Sequence, residues 1–126
     1  MKIRTLIVDD EPHAIEVIDN YLNNFSDVEI TGRCNDAMQA FRSLQQKQVD
    51  LMFLDIKMPG INGTDLLRSI KNPPKVIFTT AYSEYALEGF ELNAVDYLLK
   101  PISFERFLRA MDKVYQVNES KSSVQL

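Results

Sequence analysis

Leu51-Met52-Phe53-Leu54-Asp55-Ile56-Lys57-Met58-Pro59-Gly60 is the stretch on which the architecture turns. Four apolar residues in a row read as a strand covered on both faces, and the run stops abruptly at an aspartate. Pro59-Gly60 and then Asn62-Gly63 punctuate the loop that follows. Strands this short and this continuously apolar belong to parallel sheets with a helix layer on each side, because only there do both faces of a strand stay dry.

The same pattern repeats outward in both directions. Ile3 to Val8 is a compact apolar run ending in Asp9-Asp10-Glu11. Pro12 to Phe25 has helical periodicity, with Ile15, Ile18, Leu22 and Phe25 on one face and Pro12 in the first turn, where its missing N–H costs nothing. Val28 to Cys34 is a second strand; Asp36 is placed to cap a helix that packs Ala40, Phe41 and Leu44. Downstream of the opening stretch, a helix through Leu66, Leu67 and Ile70 is stopped by Asn72-Pro73-Pro74. Val76 to Thr79 is the fourth strand, Ser83 to Phe90 a short helix and Val95 to Leu99 the fifth strand. Ser103 caps a final helix with Phe104, Phe107, Leu108, Met111 and Val114 facing inward. The expectation is an α/β fold of five strands, each followed by a helix, over residues 1–116. Residues 117–126 are polar and read as a linker or frayed tail.

In such sheets ligands bind beyond the carboxyl ends of the strands. Those ends carry Asp9 and Asp10, then Asp55, then Thr79-Thr80, then Lys100-Pro101. Crowded carboxylates repel one another, and a hard divalent cation relieves that; Mg²⁺ takes oxygen ligands and pairs with one or two carboxylates plus phosphate oxygens. A lysine and a threonine hydroxyl beside such a cation suit a phosphoryl group in transit, and a carboxylate there can serve as nucleophile.

Composition limits the alternatives. The 126 residues are 45% hydrophobic and 25% charged, with 14 Lys plus Arg against 18 Asp plus Glu, a net charge of −4. This balance offers no basic face for nucleic acid. A lone cysteine, Cys34, excludes an internal disulfide and fits a reducing, cytoplasmic setting. The apolar run at the N-terminus is too short for a signal peptide, and no stretch reaches the roughly 18 apolar residues of a membrane span.

Four strings, Leu6-Ile7-Val8-Asp9-Asp10-Glu11-Pro12, Leu54-Asp55-Ile56-Lys57-Met58-Pro59-Gly60, Phe78-Thr79-Thr80-Ala81 and Tyr97-Leu98-Leu99-Lys100-Pro101, resemble the receiver domains of two-component response regulators. Each string alone is weak; four in order, each at its own strand end, are specific, and the match runs from about residue 2 to residue 115. The resemblance implies a flavodoxin-like, doubly wound (βα)5 fold with a parallel sheet in the order 2-1-3-4-5. It implies Asp55 as phosphoryl acceptor from a sensor histidine kinase, and Mg²⁺ held by Asp10, Asp55, the Lys57 carbonyl and, through water, Asp9. It implies that Thr80 bonds the phosphoryl group, that Lys100 pairs with it or with Asp55, and that the Lys100-Pro101 peptide is cis. Thr80 and Tyr97 would form the switch, altering the face of the fourth helix, fifth strand and fifth helix. Lys57 and Tyr82 stand at positions that tune dephosphorylation, in a direction left open, and Ala81 keeps the acceptor accessible.

A finer resemblance, through Thr79-Thr80-Ala81-Tyr82, Tyr85-Ala86 and Ala94-Val95-Asp96-Tyr97-Leu98-Leu99-Lys100-Pro101, is to receivers joined to LytTR-type DNA-binding domains. DNA would then be contacted only through a further C-terminal domain, with homodimerisation on phosphorylation an open possibility. The fold would catalyse its own phosphorylation and dephosphorylation and turn over no external substrate.

Blander readings stand beside these. Two adjacent aspartates after a strand can simply cap a helix. Thr80 can be an ordinary strand-end hydroxyl, Lys100 a solvated loop lysine and Tyr97 half-buried packing. His13, the sole histidine, is expected exposed on the first helix, and Cys34 is expected as a small buried hydrophobe. Met38, Met52 and Met111 fit packing, with Met58 exposed in the acceptor loop. Tyr85, Leu87 and Phe90 are candidates for an exposed apolar face. The competing functions are a stand-alone receiver acting through protein contacts, and a haloacid dehalogenase-type phosphatase. The latter would carry an acid two residues beyond the nucleophile, where this chain has Lys57. A flavodoxin-like binding module would need a hydroxyl- and glycine-rich loop in place of Asp9-Asp10-Glu11.

Overall fold

The computed structural model describes residues 2–85 and 91–124. Five strands, β1 (Ile3–Val8), β2 (Val28–Cys34), β3 (Leu51–Asp55), β4 (Lys75–Thr80) and β5 (Asp96–Leu99), form one sheet in the order β2-β1-β3-β4-β5. All neighbouring pairs are parallel. The described helices are α1 (Pro12–Leu22), α2 (Ala37–Gln46), α3 (Gly63–Arg68) and α4 (Phe104–Val124).

Because side chains alternate along a strand, the sheet builds two separate cores. On one face Ile3, Ile7, Phe53, Ile77 and Leu98 meet Ile18 and Leu22 of α1 and Phe107, Met111 and Val114 of α4. On the other, Leu6, Val8, Met52, Leu54, Val76 and Phe78 meet Ala37 and Ala40 of α2 and Leu66 and Leu67 of α3. β3 lies at the centre, and every one of its residues is buried, Asp55 included. That is the expected doubly wound architecture.

The capping residues act as their chemistry suggests. The Asp36 carboxylate accepts the Gln39 N–H at 2.8 Å, and the Ser103 hydroxyl accepts the Arg106 N–H at 3.1 Å, each satisfying a donor that the first turn of its helix leaves free. Asp9 does not cap α1: the cap position is Glu11, without a side-chain bond, while Asp9 Oδ1 accepts the Glu11 N–H at 3.0 Å in a local turn.

Several details depart from the sequence reading. Phe41 is 38% exposed and Leu108 is 43% exposed, because each follows a fully buried residue, Ala40 or Phe107, and the next position on a helix lies about 100° further round. Phe104, 37% exposed, opens α4 at its solvated first turn and rests on Tyr21. Met58 is buried rather than exposed: the acceptor loop folds it into the core with Leu66 and Leu67 of α3. Helix α4 continues through Val124, past Gln116, so the polar stretch is helical as far as that residue and not an irregular tail. Met38 is likewise exposed.

After β4 the chain makes a single 3-10 turn over Ser83–Tyr85. The remainder of the helix expected to Phe90, with Leu87 and Phe90, lies outside the described residues, as does the side chain of Tyr85. Among the described residues, no helix is long and apolar enough to cross a membrane.

Candidate functional site

The carboxyl end of the sheet gathers the sequence's acids. β1 and β3 are hydrogen-bonded neighbours, with Val8 opposite Leu54, so the residues that follow both strands emerge side by side. Asp9, Asp10 and Asp55 each bring a carboxylate oxygen to within 4.8 Å of the others. Asp9 and Asp55 are buried, Asp55 with 4% exposure, while Asp10 is more open. The loop beyond Asp55 is pinned on both sides. Ile56 N–H donates to the Thr79 carbonyl at 3.0 Å, and Gly63 N–H donates to the Ile56 carbonyl at 2.6 Å. Gly63 has to be glycine: a Cβ there would stand 2.2 Å from the Asp55 carbonyl oxygen, well inside contact distance.

Lys100 arrives from the end of β5. Its backbone N–H donates to the Thr80 carbonyl at 2.7 Å, and its peptide bond to Pro101 is cis. The ammonium lies 2.8 Å from Asp9 Oδ2, 3.6 Å from Asp55 Oδ1 and 3.8 Å from Glu11 Oε1. Burial pulls its pKa down, but the bond to Asp9 and the charges of Asp55, Asp9 and Glu11 outweigh that, and the net direction is upward. Asp55 moves the other way from an ordinary acid. Burial, then the Asp9 charge, push its pKa up to about 7 against the opposing pull of Lys100, with a further upward push from Asp10.

This donor set fits a hard divalent cation. Three carboxylates share a space served by one nearby ammonium, and among the described residues Asp9 Oδ2, though ion-paired to Lys100, has no well-angled hydrogen bond. All the side-chain donors are oxygens, the preference of Mg²⁺ over softer metals.

The remaining site residues form the opposite wall. Thr80 is fully buried, and its hydroxyl accepts the Tyr82 N–H at 3.1 Å. Tyr97 is half-buried, and its phenol donates to the Tyr82 carbonyl. The Lys57 side chain is exposed, and its Nζ lies over the Tyr82 ring, 5.2 Å from the centroid. Tyr82 therefore joins the acceptor loop, Thr80 and Tyr97. His13 is exposed on α1, and Cys34 is buried, where desolvation raises its thiol pKa.

Two further charged groups, which the sequence left without a role, gather around Asp96. The guanidinium of Arg106 on α4 binds both oxygens of the Asp96 carboxylate, at 2.8 and 2.7 Å, and also donates to the Tyr97 carbonyl at 3.1 Å. Lys113 adds a second cation 3.2 Å from Asp96. The i to i+7 spacing of Arg106 and Lys113 on one helix face was the available signal.

The model of the response regulator receiver domain matches residues 5–112. The chain belongs to that family. Among curated proteins, this receiver is 40% identical over 126 residues to the transcriptional regulatory protein BtsR of Escherichia coli, covering 98% of the chain and 52% of BtsR. It is 37% identical over 122 residues to the sensory transduction protein LytT of Bacillus cereus, covering 94% of the chain and 50% of LytT. The chain thus spans about half the length of these relatives. Similarity to LytT agrees with the resemblance to LytTR-type receivers. Among solved structures, the response regulatory domain of mrkE from Klebsiella pneumoniae aligns with a TM-score of 0.84 at 34% identity, over 93% of this chain and 98% of that one. Response regulator TrrA of Thermotoga maritima, solved in complex with Mg²⁺-BeF, aligns with a TM-score of 0.75 at 31% identity, over 90% and 98% of the two chains.

Proposed function

We propose that this receiver takes a phosphoryl group onto Asp55 from a sensor histidine kinase, with Mg²⁺ as cofactor, and that the resulting charge resets the wall formed by Thr80, Tyr82 and Tyr97. The observation that carries this is the packing of Asp9, Asp10 and Asp55 within 4.8 Å of one another with Lys100 alongside. The Mg²⁺-BeF complex of the similar regulator TrrA supports it.

The residues divide the work by position. Asp10, Asp55 and the Lys57 carbonyl would hold Mg²⁺, with Asp9 acting through water. When bound, the cation supplies charge neutralisation at the phosphoryl oxygens. An Asp55 carboxylate oxygen attacks phosphorus, the bond from phosphorus to the donor's imidazole nitrogen breaks, and that nitrogen keeps the electron pair. The Lys100 ammonium, already within reach of Asp55, stabilises the charge gathered on the phosphoryl oxygens. The Thr80 hydroxyl exchanges the Tyr82 N–H for a phosphoryl oxygen, and Tyr97 follows through the Tyr82 carbonyl. A phosphoryl group adds about −1.5 to −2 charges, enough to bias such an arrangement. The chemistry is confined to the chain's own acceptor.

The same reading places the chain in the cytoplasm as the receiver part of a transcription regulator. Relatives about twice its length support a C-terminal output domain, of LytTR type, through which alone DNA would be contacted. Residues 117–126 would lead toward it, and phosphorylation would favour a homodimer.

The test is phosphoryl incorporation. Acetyl phosphate with Mg²⁺ should add a single phosphoryl group by intact mass, lost in Asp55→Asn and in chelator. A folded, Mg²⁺-binding protein that takes up none would replace this reading with a receiver working by protein contacts alone.

A further inference from the structure

Lys100 is carried by the loop that joins β5 to α4, and its first three residues, Lys100-Pro101-Ile102, are hydrogen-bonded at both ends. At the entry, the Lys100 N–H is held by the Thr80 carbonyl at 2.7 Å. At the exit, the Ile102 carbonyl accepts a hydrogen bond from the Tyr21 phenol of α1 at 2.8 Å, across 81 residues of sequence. The Tyr21 ring is itself braced. It lies 5.1 Å from Phe104 and 5.2 Å from Phe107, tilted against both. Phe107 in turn stacks on Phe53, 5.4 Å away and two residues before Asp55 on β3. Ring packing alone would be served equally by phenylalanine; only the hydroxyl reaches the loop.

We propose that Tyr21 is a positioning residue for the acceptor site: its phenol fixes the far end of the Lys100–Ile102 loop and so sets where the Lys100 ammonium stands between Asp9 and Asp55. The inference deepens the phosphoacceptor reading and rests on it for its kinetic consequence. The placement of Lys100 stands independently of that reading. The Ile102 side chain is buried in the core and the Ser103 carbonyl beyond it accepts the Phe107 N–H at 3.0 Å, so the phenol of Tyr21 adds, among the described residues, the polar hold on the Ile102 carbonyl itself. An ion pair with Asp9 at 2.8 Å requires the chain to leave β5 in one direction, and a loop freed at Ile102 samples others.

Tyr21→Phe is the test, since it keeps the ring and removes one hydrogen bond. In the unphosphorylated protein, limited acylation with acetic anhydride, followed site by site by peptide mass, reports how often the Lys100 amine leaves its carboxylates. Lys100 modification should rise about fivefold, the factor that matches one hydrogen bond, while Lys57 and Lys113 stay unchanged. Phe104→Leu, which loosens the ring packing and keeps the phenol, should leave Lys100 protected. With acetyl phosphate and Mg²⁺, Tyr21→Phe should slow uptake about fivefold, and it should add no further loss in a Lys100→Ala background. Unchanged Lys100 reactivity in a folded Tyr21→Phe protein, or an additive loss in the Lys100→Ala background, would overturn the proposal. A wild-type protein that takes up no phosphoryl group would sink the phosphoacceptor reading instead, with Lys100 reactivity still deciding the role of Tyr21.

Discussion

The Lys100 ammonium lies closer to Asp9, at 2.8 Å, than to Asp55, at 3.6 Å. The lysine therefore neutralises the neighbour more fully than the proposed nucleophile, and burial is left to hold the Asp55 pKa near 7. Removing the lysine should expose the cost of this crowding. Lys100→Ala is expected to destabilise the metal-free protein by about 1–3 kcal/mol at pH 8, where Asp55 is ionised. At pH 5, with Asp55 protonated, the loss should be smaller. Urea denaturation at the two pH values measures both; an equal or larger loss at pH 5 would contradict the charge argument.

The pH dependence of the wild type has a definite sign. Asp55 binds its proton more tightly folded, with a pKa of about 7, than unfolded, near 3.8. A raised folded pKa contributes stability that is complete below the unfolded value and is lost as pH rises through about 7. The metal-free protein should accordingly lose stability between about pH 4 and pH 8 from this group. Mg²⁺ competes with the proton, so it should raise Tm more at pH 8 than at pH 5.5. Asp55→Asn should remove most of this pH dependence and stabilise the metal-free protein at pH 8 by about 2–4 kcal/mol. Thermal melts across pH, with and without Mg²⁺, settle the matter.

Lys57 lies over the Tyr82 ring at the mouth of the acceptor site. A cation above an aromatic face is held by about 0.5–1 kcal/mol when exposed, enough to keep the pair closed most of the time. Tyr82→Ala should open the approach to Asp55, shortening the lifetime of the phosphorylated form by about three- to fivefold, in line with that energy. The decay of the phosphorylated mass after removal of acetyl phosphate is the readout; a lengthened lifetime would mean that the ring admits water instead of blocking it.

Asp96 is half-buried, which pushes its pKa up, yet Arg106, the Tyr97 N–H and Lys113 reverse that and hold it below the usual carboxylate range. A depressed folded pKa contributes stability that is present above the unfolded value and is lost as pH falls through the folded one. Arg106→Met strips this half-buried acid of its bidentate partner, leaving Lys113 and the Tyr97 N–H, and should cost about 1–2 kcal/mol at pH 7. The penalty should shrink as pH falls and Asp96 takes up its proton more readily in the variant than in the wild type. Denaturation midpoints at pH 7 and pH 3.5 report it.

Much of this was legible in the sequence because strand ends are short-range facts. Asp9, Asp10, Asp55, Thr80 and Lys100 each follow an apolar run, and a parallel sheet brings all such ends to one edge. The strand order came from the family resemblance, since spacing does not encode which strands are neighbours. What stayed hidden were contacts between distant elements. The reach of the Tyr21 phenol to Ile102 and the meeting of Lys57 with Tyr82 have no local signature. Met58 was misjudged because loop membership suggests exposure, whereas its loop folds back over α3. Phe41 and Leu108 were misjudged because apolar residues on either side of a helical stripe look alike until the neighbouring helix is in place.

Gly63 fits against the Asp55 carbonyl with no room for a methyl group, and β3 beneath it is packed on both faces. One jaw of the site is therefore stationary, an anvil set in the middle of the sheet. The other jaw, Thr80 with Tyr82 and Tyr97, is joined through side-chain hydrogen bonds to the Tyr82 backbone. If a charge arrives at Asp55 as proposed, the glycine-tight side of the site leaves the least room to yield, and the response would fall to the side built from Thr80, Tyr82 and Tyr97.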